Sequence, residues 1–296
     1  MQSGANLARF AVRCQIDRIM RQRQGGEMGT YHRKQHRPPI AVAGLLGFLA
    51  CGSPTWAGPP FGDTAGTVFD IITGGDPRAF LCLQPMGQQP RQIWDKRGDG
   101  EPLIDAHLFI ARDSDGVAIE IAINPAFLAV EAAAVAKRFA WPLGQLPGSL
   151  RAGITRFSVH GGDEGFHAGD GQIVVYTART DQRASYLHLE EPLVHEADHA
   201  AWDIVHSEAL GWIASQKADG GFLTGYAAAN PTSEDLAETA LFAFAILHHP
   251  DRFPPVDTAD TQKAVPHRIT CIAQRLPPDE LLIVPVDATQ TCELGS

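Results

Sequence analysis

A chain of 296 residues with 44% hydrophobic content is long enough for one large domain or two small ones around a sizeable core. Its 24 Lys and Arg stand against 34 Asp and Glu, a formal net charge of -10. Beyond Ala57 the balance is 16 basic against 32 acidic residues, a net -16 that repels phosphate backbones and anionic lipid headgroups and argues against nucleic acid as a partner.

The first 57 residues read as a leader. Arg9, Arg13, Arg18, Arg21, Arg23, Arg33, Lys34 and Arg37 precede an apolar run from Ile40 to Ala50, and small and turn residues (Gly52, Ser53, Pro54) follow it. That order marks a secretory signal peptide, with cleavage expected after Ala57 and Met28 as an alternative start. The run is too short for a helical membrane span, so no span is expected. Cys51, in FLAC followed by GS, offers a competing reading as a lipid-attachment site. Either route delivers the protein to a secreted or periplasmic location. Cys82, Cys271 and Cys292 follow Ala57, without any CxxC spacing; Cys271 and Cys292 can pair in an oxidising compartment.

Residues 58–75, rich in Gly, Pro and Thr, read as a linker, leaving 76–296 as a single domain. From Phe80 the pattern alternates. Strands are expected at 106–112 and 117–123, joined by the hairpin signal Asp113-Ser114-Asp115-Gly116, with Ile119, Ile121 and Ile123 on one face. Asn124-Pro125 opens an Ala-rich helix reaching Ala140. Strands at 154–160 and 172–178 follow, with 163–171 read as a flexible loop whose acidic residues lack EF-hand spacing. Helices are expected at 191–206, 208–217, 232–249 and 258–275. Strands first and helices later predict an α+β fold with a twisted mixed sheet packed on helices.

Residues 195–199 read His-Glu-Ala-Asp-His. On a helix, positions i and i+4 share a face, so His195 and His199 can hold one ion. Glu196 lies beside the metal, where it can take a proton from water, the division of labour of an HExxH site. Glu190 and Glu191 at the helix start complement its dipole, and Pro192 suits the first turn. Zinc accepts neutral imidazole, and catalytic sites use three protein ligands and water. A third ligand is therefore sought downstream. In YAAANPTSEDLAE, Asn230 and Pro231 read as a helix start, and Glu234 and Glu238 fall four apart on one face. Glu234 can complete the ligand set while Glu238 sets the tautomer of a ligand histidine; the spacing also admits the reverse.

HEADH followed by GYAAANPTSEDLAE resembles the metallopeptidase core of the anthrax lethal factor and Pro-Pro endopeptidase group, over Glu190 to Ala240. The resemblance implies a zincin-like domain with His195, His199 and Glu234 as Zn2+ ligands and Glu196 as general base. It further implies Tyr226 as donor to the developing oxyanion, Glu238 in support, and a peptide or protein substrate. The interval from the tyrosine to the glutamate is one residue longer here. WDKR at 94–97, INPAF at 123–127, GQLPGSLR at 144–151 and HEADHAAWD at 195–203 also resemble a set of uncharacterised secreted HExxH proteins, which implies that the upstream region shares a domain with the metal helix.

Asp203, four residues after His199, can orient a ligand, accept from Tyr226 or form an ordinary helix salt bridge. His160, His167 and His188 read as scaffold, and Trp202 and Trp212 as core. The strand at 172–178 is placed to run along the cleft and pair with an extended substrate. Rival readings are a zincin-fold binding or toxin-like protein with a structural or inactive metal site, and an acidic binding module in which HEADH is accidental.

Overall fold

The computed structural model describes residues 58–65, 69–98, 100–278, 282–286 and 292. The leader, its cleavage point and Cys51 lie outside them. Mixed α and β elements build one six-stranded mixed sheet and a set of helices. The strands are β1 (Phe80–Gln92), β2 (Leu103–Asp113), β3 (Ala118–Ile123), β4 (Arg156–His160), β5 (His167–Gly169) and β6 (Gln172–Tyr176), in the order β1-β2-β3-β4-β6-β5. The first three run antiparallel, β3, β4 and β6 run parallel, and β5 returns antiparallel to β6.

Alternation along the strands divides two cores. Phe109, Ile119, Ile121, Ile123, Phe157, Val159, Ile173 and Val175 face the helices and join the main core. Ala106, Leu108, Ala122, Val174 and Tyr176 form a smaller cluster on the other face with Ile93. There, buried His160 is held between the Asn124 side chain and the Trp94 carbonyl, at 2.8 and 2.9 Å. Tyr176 accepts from the Lys96 N–H at 2.7 Å. The motifs around WDKR and INPAF thus lock the back of the sheet.

Helix α1 (Ala129–Leu143) crosses the sheet, and a single turn, α2 (Gly148–Arg151), leads into β4. After β6 come α3 (Thr177–Ser185) and the HEADH helix α4 (Glu190–Ala201), whose apolar side is Leu193, Val194, Ala197 and Ala200. A π-type turn at Asp203–Ser207 follows, and then α5 (Leu210–Asp219), α6 (Gly225–Ala229), α7 (Asp235–His248), α8 (Pro255–Ala264) and α9 (Pro266–Ile272). The strongly apolar α7 packs against α4. Trp202 and Trp212 are both in the core. Among the described residues, no helix is long and apolar enough to cross a membrane.

Several expectations need correction. The helix expected to run unbroken through 206 leaves α-geometry after Ala201. The expected 258–275 helix is two helices, divided before Pro266, whose missing N–H cannot continue the first. Helix α7 starts at Asp235, while Asn230 ends α6 and Pro231–Glu234 form a turn. The strand expected to reach 178 gives way at Thr177 to α3. The loop read at 163–171 contains β5, which pairs with β6 through the two-residue turn Asp170-Gly171, both at positive φ. The sheet edge beside α4 is therefore β5, and β6 is internal.

The described residues of the segment read as a linker, 58–65 and 69–75, pack into the body. Phe61 bridges Thr224, and the backbone N–H groups of Ile71 and Ile72 donate to buried Glu191 at 2.6 and 3.1 Å. Cys292 pairs with Cys82, not Cys271. Val286 and Leu282 hydrogen-bond to Arg78 and Gly148, which carries the C-terminal segment past the start of β1, while Cys271 is buried in α9 on the helical side.

The end of α4 is fixed by a close approach. A Cβ at Gly153 would lie 2.3 Å from the Ala201 Cβ and 2.5 Å from its Cα. Gly153→Ala should therefore destabilise the protein by about 1–3 kcal/mol or more, measured by urea unfolding. An unchanged midpoint would show that α4 can shift at no cost.

Candidate metal centre

Helix α4 sets His195 and His199 one turn apart with ring centroids 4.7 Å apart. Their Nε2 atoms are separated by 3.0 Å. From the start of α7, Glu234 brings Oε2 to 3.2 Å from His199 Nε2 and 3.5 Å from His195 Nε2. Among the described residues, this is the one group of three such donors close enough together to hold a metal ion.

The outer nitrogens fix what the inner ones present. Asp203 Oδ2 lies 2.6 Å from His199 Nδ1, and a carboxylate only accepts, so Nδ1 carries a hydrogen, and in the neutral ring Nε2 offers the lone pair. At His195, Nδ1 meets Thr64 Oγ1 at 3.1 Å. That hydroxyl donates to Glu238 Oε1 at 2.6 Å, and the Thr64 N–H donates to Oε2 at 3.0 Å. Having given its hydrogen to Glu238, the hydroxyl accepts from His195, leaving His195 Nε2 with a lone pair as well. Three donors thus converge in an arrangement that could hold a metal ion.

Without a metal, protons must serve. Burial lowers the affinity of His199 for a proton, but Asp203 and Glu234 outweigh it and push the pKa up to about 11. Burial would raise Glu234, yet the two histidines hold it down at about 2. His195 is also raised, with burial opposed chiefly by Glu234.

Sequence reasoning placed Glu238 against a ligand histidine. The structure interposes Thr64, and Glu238 Oε1 stands 3.5 Å from His195 Nδ1. Of the two glutamates, Glu234 faces the paired Nε2 atoms and Glu238 lies behind His195. Thr64 falls in the Gly- and Pro-rich stretch read as a linker, where no periodicity marks it. The same stretch positions Tyr226, since Gly225 and Tyr226 donate backbone hydrogen bonds to Phe61 and Gly62 at 2.8 and 2.9 Å.

Glu196 coordinates nothing in this cluster and lines the cleft of about 260 Å³ in front of it, together with Tyr226. Burial pushes its carboxyl pKa up, against the pull of the two histidines. Tyr226 is 45% exposed; partial burial and Glu234 raise the pKa of its hydroxyl. Asp198 is fully buried with no hydrogen bond to either oxygen among the described residues; burial and Asp203 push it up to about 7. His160 and His188 are buried away from the cluster, and His167 is exposed on β5.

Thr64→Ala should lower metal affinity by about 10- to 100-fold, the usual loss when a partner of a ligand histidine is removed. Thr64→Ser should retain it. Competition with a chromogenic chelator measures both, and equal affinities in Thr64→Ala and the parent protein would remove Thr64 from the site.

No protein-family model matches the chain, and no curated protein or solved structure is significantly similar to it.

Proposed function

We propose that the protein is an exported zinc metallopeptidase of the zincin type, acting on a peptide or protein substrate. The observation that carries this reading is the convergence of His195 Nε2, His199 Nε2 and Glu234 Oε2, with both outer imidazole nitrogens committed elsewhere. Two donors 2.0–2.1 Å from one tetrahedral zinc stand roughly 3.3 Å apart, and the three separations here, 3.0, 3.2 and 3.5 Å, bracket that value. Two imidazoles and one carboxylate, with room for substrate, are the donor set of catalytic rather than structural zinc.

When bound, zinc supplies Lewis acidity and eases the ionisation of water. Glu196 faces the cleft with its pKa raised by burial, towards the range in which a general base works at neutral pH. In this reading Glu196 takes the proton of the attacking water and later delivers it to the leaving amine. Tyr226, at the rim, donates its hydroxyl hydrogen to the oxygen that gains charge. Asp203, and Thr64 backed by Glu238, hold the imidazole tautomers through that cycle.

The test is metal analysis of the purified protein with a broad peptide library. One equivalent of zinc and chelator-sensitive cleavage are expected. Zinc without turnover would favour a binding or toxin-like protein with a structural metal, and absence of zinc binding would end the proposal.

A further inference from the structure

We infer that Arg183 is an anion-binding residue of the cleft, taking a carboxylate of the substrate, from either an acidic side chain or a free C-terminus near the cleaved bond. The inference rests on reading the cleft as a peptide-binding site.

Arg183 lies in the last turn of α3 and lines the same cleft as His195, Glu196 and Tyr226. A basic residue there complements the helix dipole, which accounts for its charge but not for where the head goes. The half-buried side chain sets its guanidinium carbon 5.2 Å from the ring centroid of Phe166, across the cleft wall. Its Nε is buried without a hydrogen-bond partner, and the acidic groups that act on the guanidinium, Glu196 and Asp63, do so electrostatically from the same cleft.

Two other half-buried arginines, Arg91 and Arg156, share Glu120, whereas Arg78, whose Nε also lacks a hydrogen-bond partner, lies over the Trp141 ring and not in the cleft. A buried guanidinium N–H without an acceptor is unfavourable, and a ligand that supplies the acceptor removes that cost. Burial lowers the Arg183 pKa, with Glu196 opposing it, but arginine stays charged throughout the accessible pH range. The chain beyond Ala57 carries a net -16, so an acidic peptide meets net repulsion from the protein as a whole. A planar fork stacked on an aromatic ring is also suited to a carboxylate, which it can grip with two parallel N–H donors.

Three peptides separate the sources of the carboxylate. The first is an N-acetylated, C-amidated pentapeptide with central glutamate; the second is its glutamine counterpart. The third is the glutamine peptide with a free C-terminal carboxylate. Binding is measured by calorimetry on the chelator-treated full chain, so that no cleavage intervenes. Metal content and chelator-sensitive cleavage in untreated protein report separately on the metallopeptidase reading.

One carboxylate peptide should bind about 10- to 100-fold more tightly than the neutral one, and its identity names the source. Arg183→Gln should abolish that preference, and Arg183→Lys, which keeps the charge but loses the fork, should retain part of it. A matching unfolding midpoint shows that each variant is folded, and the three-peptide comparison on the parent protein stands if a variant is not. No preference in the parent, no binding by any of the three, or a preference that survives in folded Arg183→Gln would each overturn the inference.

Discussion

Glu196→Gln should slow peptide hydrolysis by orders of magnitude while the metal stays bound. The side chain is not one of the three converging donors, so its loss leaves the ligand set intact. Glutamine keeps the size of glutamate but cannot take up a proton. General base catalysis contributes about 10²- to 10⁴-fold, and kcat should fall by that factor. The zinc content should remain at one equivalent. Comparison of kcat and metal content between variant and parent decides the matter, and equal turnover in both would remove Glu196 from the mechanism. Burial raises the Glu196 carboxyl and so makes it a stronger base than an exposed glutamate, while the histidines limit the rise.

Glu234→Ala should be the most damaging change to metal binding. Glu234 supplies the one carboxylate oxygen within reach of both imidazole Nε2 atoms among the described residues. Its removal leaves two neutral donors and no compensating negative charge, so affinity should fall by more than the roughly 100-fold upper range for losing a residue behind a ligand. Glu238→Gln, acting through Thr64, should stay within that range. Thermal unfolding gives a second readout. A ligand at 100 times its Kd stabilises the native state by about 2.7 kcal/mol, so a chelator should lower the midpoint of the parent protein and leave that of Glu234→Ala nearly unmoved. Retention of one equivalent of zinc by Glu234→Ala under chelator dialysis, as in the parent, would show that the ligand set is wrong.

The sequence was most informative where chemistry and helical periodicity coincide. His195 and His199 share a face because four residues nearly complete a helical turn, while Glu234, at the cap of α7, and Glu238, one turn on, reach opposite nitrogens of His195. The β2–β3 hairpin followed from Asp113-Ser114-Asp115-Gly116 and the alternating isoleucines. The β5–β6 turn carried an equally readable signal in Asp170-Gly171, overlooked among surrounding glycines and charges.

Local residue pattern therefore determined the HEADH helix, the two glutamates and most strands, since these depend on neighbours a few positions away. Tertiary structure alone decided that Thr64 stands between His195 and Glu238, 131 and 174 residues distant, because a threonine in a Gly- and Pro-rich stretch has no local periodicity to reveal its partners. It alone decided that Cys82 pairs with Cys292 across 210 residues, and that Arg183 turns its guanidinium into the cleft. Such contacts arise from packing distant segments against one core, which spacing along the chain does not encode.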